Sequence, residues 1–582
     1  MFAKDNSISK QMIKMSVKKY LHSLLAVFAL SALAVGLTAI VPVIYQKITD
    51  EFIPEKNLRA LIICVVIAVL APVAAALVTL LKNRLNYWFG KKCVYYVTDA
   101  AFKKILHSNF AEYSSYDSVT LSNILTRSAE TIPSMYLNSI ITIVSSCLQF
   151  LIVFVMLLHY NIALTLSVFA VLPLSYLIIK AQKNKMKSAS HDGLKEQRSL
   201  QKNIVQILNS MKTIRSYNAQ EGAENSFEDG LNRFNKAEWK FRKTECLAGD
   251  VLPNAASQII LGTAFALGAL FVLKDKMSVG SLIAVIAYFP SLMSSLNGIM
   301  RARLSVGAAQ NVFDEFDNIM AMSDELSSDI IPDKSCETVF SFENVEFSYG
   351  RENFSLHIDD LKIKKGEFVS IVGVSGGGKS CFMDIVNKFF SASSGTIRVF
   401  GKNINEVDTD SLRKMYSVVL QDAFIFNDAV ENNISFPQAP DSLKISQAIE
   451  KAQMKDFIGE LPEHEKTVIS DFGANLSGGE CQRISVARAL YRDAPVMLLD
   501  EPTSALDAKT AGKMFEMLQN ECKVGGKTVV VITHDIKRAA MADKVLVING
   551  GKITEQGGPR ELLKKDGAFK SLFEAQDNIK AK

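Results

Sequence analysis

Cysteine is scarce for a chain of 582 residues: eight thiols, scattered, with no Cys-x-x-Cys pair and no metal-ligand spacing. That excludes a disulfide scaffold and the usual zinc modules, and it leaves reduced or buried thiols. A dominant charge sign is also missing. Sixty-five Lys and Arg stand against 60 Asp and Glu, a net charge of +5, too mild for a nucleic-acid-binding surface. Charged residues make up 21% of the chain and apolar types 48%, which excludes a disordered or collagen-like chain.

What is present is uneven. Up to about residue 300, long apolar runs alternate with polar stretches. A span needs about 20 apolar residues to cross about 30 Å of hydrocarbon. Six runs qualify: Leu21–Tyr45, Leu58–Leu81, Tyr136–Leu158, Ile162–Ile179, Leu247–Leu273 and Val279–Ile299, with charge confined to their ends. Lys and Arg crowd the N-terminal arm (Lys4, Lys10, Lys14, Lys18, Lys19), the stretch 82–133, the stretch 180–246, and Arg301 with Arg303 after the last run. The other loops, 46–57, 159–161 and 274–278, are short. All long basic segments therefore fall on one side, the cytosolic one. The first apolar run exceeds a signal-peptide core, so no cleavable signal is expected.

In the arm, Ile8, Met12 and Met15 share one helical face and Lys10, Lys14 and Lys18 the other, a pattern suited to an interfacial helix. The two long cytosolic stretches are polar and helix-favouring, and they read as extensions of the spans with distal bends at Ser114–Asp117 and near Ser216–Gly222. Gln149, Asn254, Gln258 and Asn297 within spans should face the bundle or a cavity. From Asn318 to Glu337 the composition shifts to Asp, Ser and Pro. The expected division is an interfacial arm 1–20, a six-span α-helical membrane domain 21–317, a linker 318–337, and an α/β domain 338–582 with a largely parallel sheet.

The α/β part carries the sharpest local signal, Gly373-Val-Ser-Gly-Gly-Gly-Lys-Ser380. It follows an apolar strand, Phe368–Val372, and opens a helix expected to run through Phe390, the context a P-loop demands. The glycines let backbone N–H groups approach phosphates at a helix N-terminus. Lys379 would hold the β and γ phosphates, and Ser380 would ligate Mg²⁺. A second strand, Val496–Asp500, ends in a carboxylate followed by Glu501. An acid leaving a buried strand is costly without a cation to serve. Asp500 would order Mg²⁺ through water, and Glu501 would act as general base. A third strand, Thr528–Thr533, delivers His534, placed to bond the γ-phosphate and position water.

Between these lie Asn475-Leu-Ser-Gly-Gly-Glu480 and, after Glu501, Pro502-Thr-Ser-Ala-Leu-Asp507. With the P-loop, Gln421-Asp422, Asp500-Glu501 and His534 in this order, the chain resembles the ATP-binding cassette (ABC) family, a P-loop NTPase fold. The membrane half is similar to that family's exporters: Phe110–Arg127 and Ile214–Glu221 resemble their coupling segments, and Met277–Leu282 the start of their last span.

The resemblance implies a half-transporter working as a homodimer or heterodimer with a second half-transporter. Each ATP would lie between the P-loop of one chain and the signature of the other. Tyr349 would stack on adenine. Gly373, Ser375, Gly376, Gly377, Gly378, Lys379, Ser380 and Cys381 would hold phosphates. Ser380, Gln421 and Asp500 would serve Mg²⁺. Ser477, Gly478, Gly479, Glu480 and Asp507 would close from the partner, and Glu501 and His534 would be catalytic. Glu480 stands where the family usually has Gln. Ser477-Gly-Gly-Glu480 nonetheless has capping-box spacing, and a Glu in a first helical turn gains about 0.3–1 kcal/mol from the dipole.

The expected function is ATP-driven export of an amphipathic or hydrophobic substrate (drug, lipid or peptide) across the cytoplasmic membrane. The expected partners are membrane lipid and the transported substrate, with no nucleic acid. The alternative is an ATP-gated channel or a non-transporting sensor on the same scaffold. Arg84, Arg301 and Arg303 near the inner surface fit either plain positive-inside anchoring or reception of an acidic headgroup.

Overall fold

The computed structural model describes residues 11–580 except 13–14, 16–17, 163–164, 167–171, 248–250, 309, 350–354, 471–472 and 474. The chain forms two compact units, one of residues 1–108 and 112–324, the other of residues 109–111 and 325–582.

The first unit is helical. Its first span, Leu21–Lys47, runs into a π-helical turn, Ile48–Phe52. Asn57 then caps the second helix, Leu58–His107, by accepting the Ala60 N–H. At about 1.5 Å per residue its 50 residues reach about 75 Å, far beyond a bilayer core, as the polar continuation of the apolar run requires. Ile62, Val66, Val69, Val73 and Leu77 point outward along it, an apolar face that only hydrocarbon would cover without cost. The third span is Ala129–Tyr160. Leu172–Asn209 and Gln220–Cys246 form the second long hairpin. Leu252–Leu273 and Val279–Ala308 follow, then Gln310–Met320.

Among the described residues five helices are long and apolar enough to cross a membrane. The expected fourth span, Ile162–Ile179, includes residues 163–164 and 167–171, which lie outside the described residues; from Leu172 onward the chain is helical. The first distal bend falls at residues 114–117, where Asp117 caps the next helix by accepting the Thr120 N–H at 2.9 Å. The second falls at residues 217–219, with Asn218 in the left-handed region. In the arm Met12 is buried and Met15 exposed. Ile8, Lys4, Lys10 and Lys14 lie outside the described residues.

At one end of the bundle Tyr288 donates its hydroxyl to the Ala39 carbonyl at 2.5 Å. Nearby, the Asp50 carboxylate accepts the Ser278 hydroxyl at 2.6 Å and the Gly280 N–H at 2.8 Å. A carboxylate from one helix thus caps the N-terminus of another. Gly280 lets the carboxylate come this close: a Cβ there would sit 2.6 Å from the Asp50 carboxyl, and the side chain would have to shift.

The second unit holds a ten-stranded sheet: β1 Thr338–Phe347, β2 Leu356–Lys364, β3 Phe368–Val372, β4 Ser394–Val399, β5 Lys402–Asn403, β6 Tyr416–Val419, β7 Val496–Asp500, β8 Thr528–Ile532, β9 Lys544–Asn549 and β10 Lys552–Gly557. The order is β5-β4-β1-β2-β10-β9-β3-β8-β7-β6. β9, β3, β8, β7 and β6 pair in parallel, and every residue of β3, β7 and β8 is buried, as a sheet covered on both faces requires. The expectation of a largely parallel sheet is corrected on the other side. β1, β2, β4 and β5 pair antiparallel, as do β9 and β10. β1 and β2 alternate between buried and exposed residues in places and are linked by a short connection, which suits an antiparallel pair.

Candidate functional site

Four segments converge at the C-terminal ends of the parallel strands. β3 ends at Val372 and the chain turns through the glycine loop into the helix Lys379–Val386. Gly373 takes φ +151, and a Cβ there would lie 1.9 Å from the Ile548 carbonyl oxygen, so the loop closes against β9 only with glycine. Gly376 and Gly378 also take positive φ. The helix ends at Val386, four residues short of the expected Phe390. Lys388 adopts φ +55, and the chain leaves in a turn with no glycine or proline to announce it.

The loop, Tyr349, Gln421, Asp500, Glu501 and His534 enclose a cavity of about 420 Å³, lined also by Ser375, Gly376, Gly378, Lys379, Ser380 and Cys381. Lys379 Nζ donates to the Gly373 and Val374 carbonyls at 3.0 and 2.9 Å. Burial holds its ammonium below the usual lysine range, against the pull of Glu501 and Asp500. Asp500 ends β7, is 7% exposed, and has its carboxyl pushed up to about 6, first by burial, then by the Glu501 charge; Lys379 and a Ser380 hydrogen bond oppose the shift. Glu501 follows at φ +49, and its Oε1 lies 2.7 Å from His534 Nε2. Oxygen donors from Ser380, Gln421 and Asp500 on one rim, beside a carboxylate pair short of positive charge, match the donor set of a hard divalent cation.

Tyr349 meets Phe347 and Phe390 edge-on, with ring centroids 4.8 and 5.0 Å away, and remains 41% exposed. Its hydroxyl donates to Asp384. Burial and this carboxylate raise the phenol above the usual tyrosine range.

The remaining sequence candidates stand apart from this cavity. Ser477, Gly478, Gly479 and Glu480 form the start of the helix Gly478–Arg492, and both halves of the expected capping box are made. The Ser477 N–H reaches Glu480 Oε2 at 2.6 Å, and the Glu480 N–H reaches Ser477 Oγ at 3.3 Å. Asp507 caps the helix Ala508–Lys523, accepting the Lys509 and Thr510 N–H groups at 3.0 Å each. A hydrogen bond from the Thr510 side chain, and then these backbone bonds, hold its carboxyl below the usual range. None of the five lines the cavity of its own chain.

Two contributors were not foreseen. Gln482, 4% exposed, donates to the Glu501 carbonyl at 2.9 Å and the Ser504 hydroxyl at 2.6 Å, and accepts the Ala505 N–H at 3.0 Å. It ties the signature helix to the turn that carries Glu501. Asp384 anchors Tyr349. Gln482 sits two residues past Glu480, and its amide in an otherwise buried helical position was the only available signal; Asp384 gave none.

Comparison with known proteins agrees with this architecture. Residues 24–296 match the ABC transporter transmembrane region and residues 356–504 the ABC transporter domain. An ATP-dependent lipid A-core flippase of Haemophilus influenzae is 29% identical over 548 residues, 91% of each chain. One of Vibrio parahaemolyticus is 28% identical, over 84% of each. The structure of a bacterial Atm1-family ABC exporter with ATP bound superposes with TM-score 0.87 at 21% identity, covering 96% of this chain and 99% of that one. The two matched regions span most of the chain and leave a single membrane region fused to a single ATPase domain, so this is an exporter-type half-transporter coupling ATP hydrolysis to transport, and it belongs to the ABC transporter family.

Proposed function

We propose that two copies of this chain pair around ATP and move an amphipathic lipid across the cytoplasmic membrane, with the ATPase unit on the cytosolic side. The observation that carries the reading is the split site. Lys379, Asp500, Glu501 and His534 share one cavity, while Ser477 and Asp507 lie outside it. A second chain offering its own Ser477 and the Gly478 and Gly479 N–H groups would complete the enclosure. ATP then joins the two units, and loss of the γ-phosphate releases them.

Within the cavity, the half-exposed Tyr349 ring would stack on adenine, and Lys379 would leave its two loop carbonyls for the phosphates. Ser380, Gln421 and Asp500 would hold Mg²⁺, which when bound neutralises phosphate charge. Glu501 would take a proton from the attacking water, and His534, already bonded to it, would fix its carboxylate and reach the γ-phosphate. The choice of lipid over drug or peptide is supported by the flippase relatives, which match this chain along most of its length.

Reconstitution into vesicles tests this. ATP and Mg²⁺ should drive transbilayer movement of a fluorescent lipid, and that lipid should stimulate ATP hydrolysis. Conduction of ions with ATP bound, and no lipid movement, would overturn the reading in favour of a channel.

A further inference from the structure

The stretch from Glu501 to Asp507 is a turn between β7 and the helix Ala508–Lys523. Gln482 holds its first part, through the Glu501 carbonyl, the Ser504 hydroxyl and the Ala505 N–H. An arginine from another loop holds its far end. Arg538 Nη2 donates to the Ala508 carbonyl at 2.9 Å, 30 residues away along the chain.

The same guanidinium binds Asp535. Arg538 Nη1 lies 2.7 Å from Asp535 Oδ2, with the two side chains 17% and 19% exposed, so solvent screens the pair less than a surface one. Asp535 is itself fixed. It caps the short helix Ile536–Ala539 by accepting the Arg538 N–H at 3.2 Å, and its own N–H donates to Thr533 Oγ1 at 3.1 Å. Thr533 donates its N–H to the Ile371 carbonyl of β3 at 3.1 Å. Between Thr533 and Asp535 stands His534, half exposed, with its ring against the Glu501 carboxylate.

An aspartate and an arginine three residues apart commonly support a short helix and nothing more. The bond to Ala508 goes beyond that, because it leaves the helix and reaches the segment that carries Glu501. A planar guanidinium fork serves two acceptors at once in a fixed geometry, as an ammonium does not. Glu501 and His534 are thereby joined twice. One link runs directly from carboxylate to ring, the other through Asp535, Arg538, Ala508 and the turn. Both residues lie just past the ends of strands, β7 and β8, so such a tie decides where their side chains point.

We infer that Arg538 is a positioning residue for ATP hydrolysis: its guanidinium locks the His534 turn to the start of the helix capped by Asp507, and so fixes the His534 ring relative to Glu501. Arg538 does not line the cavity, so it acts through His534. The inference rests on the catalytic roles proposed above for Glu501 and His534.

Steady-state ATPase assays on the full chain in nanodiscs, with amide hydrogen exchange on the same samples, test this. Arg538→Gln should lower kcat about tenfold, the scale of one charge-assisted hydrogen bond. It should move the KM for ATP less than about twofold, because the glycine loop and Tyr349 are untouched. Arg538→Lys, which keeps the charge but serves one acceptor at a time, should fall between. Methylguanidinium added to Arg538→Ala should raise its rate severalfold. Exchange in Arg538→Gln should quicken at both ends of the lock, residues 503–509 and 533–537, and stay as in the wild type at 373–380. A kcat within about twofold of the wild type overturns the inference, as does quicker exchange at one end alone. Quicker exchange in the glycine loop with a raised KM also overturns it, since that marks general loosening. If Glu501→Gln and His534→Ala leave hydrolysis unchanged, the catalytic reading fails; if those two are impaired and Arg538→Gln is normal, the positioning role alone fails.

Discussion

Glu501 occupies the left-handed backbone region at φ +49, a conformation costing a non-glycine residue about 1–2 kcal/mol. The surrounding bonds hold it there. Its N–H donates to the Ile532 carbonyl at 3.0 Å, and Gln482 binds its carbonyl at 2.9 Å. Because backbone and His534 together fix the carboxylate, Glu501→Gln should keep ATP binding and reduce hydrolysis about 10²–10⁴-fold, the range of a lost general base; single-turnover ATPase assays measure this. Gln482→Ala leaves the Ala505 N–H and the Ser504 hydroxyl without their partner. It should lower thermal stability by about 1–3 kcal/mol and lower kcat more than ATP affinity. Asp500 behaves in the opposite sense. Its carboxyl is raised to about 6 in the fold against 3.8 ordinarily, so the folded state binds the proton more tightly than the unfolded state. The resulting destabilisation is absent below about pH 4, grows between, and is complete above about pH 6. Without nucleotide and Mg²⁺, the midpoint of unfolding should therefore fall across that window, and Asp500→Asn should flatten the fall while removing Mg²⁺-dependent hydrolysis. A wild-type midpoint that rises with pH from 4 to 6 would contradict the assignment.

The elements show which features local sequence can encode. The glycine loop, the strands Phe368–Val372 and Val496–Asp500, and the Ser477–Glu480 cap are set by neighbours within a few residues, and each is where the residues pointed. The helix that stops at Val386 is different. Asn387 and Lys388 are ordinary helix residues, and the reversal that brings Phe390 against Tyr349 is imposed by packing between distant segments. The same holds for the antiparallel pairing of β1, β2 and β4, and for Gln482 and Asp384, whose partners are 19 to 35 residues away in sequence. The capping box gives a prediction at this scale. Gln can make the same reciprocal bond to the Ser477 N–H, so Glu480→Gln should change stability by less than about 0.5 kcal/mol and turnover only modestly. Glu480→Ala, which loses the bond, should cost about 1 kcal/mol. Chemical denaturation of the two variants distinguishes them, and equal losses would show that charge rather than the cap matters at this position.

For the whole molecule, the separation of Ser477 and Asp507 from the cavity of Lys379, Asp500 and Glu501 bears on assembly. If the signature acts on the partner's nucleotide, a defect in the P-loop and a defect in the signature do not lie in the same site when they are on different chains. Lys379→Ala alone and Ser477→Arg alone should each give an inactive pair, since every site would carry one fault. In a mixed pair, both faults fall in one site, and the other has an intact Lys379 from one chain and an intact Ser477 from its partner. Random mixing makes half of the pairs mixed, so about a quarter of all sites should be whole. Co-reconstituting the two inactive chains should therefore restore measurable ATP hydrolysis, in proportion to the fraction of mixed pairs isolated by two affinity tags. A signature serving its own chain gives no such recovery, because each chain would remain defective in its own site. Silence from isolated mixed pairs, when wild-type pairs prepared in the same way are active, would therefore remove the physical basis for ATP as the bond between the two halves.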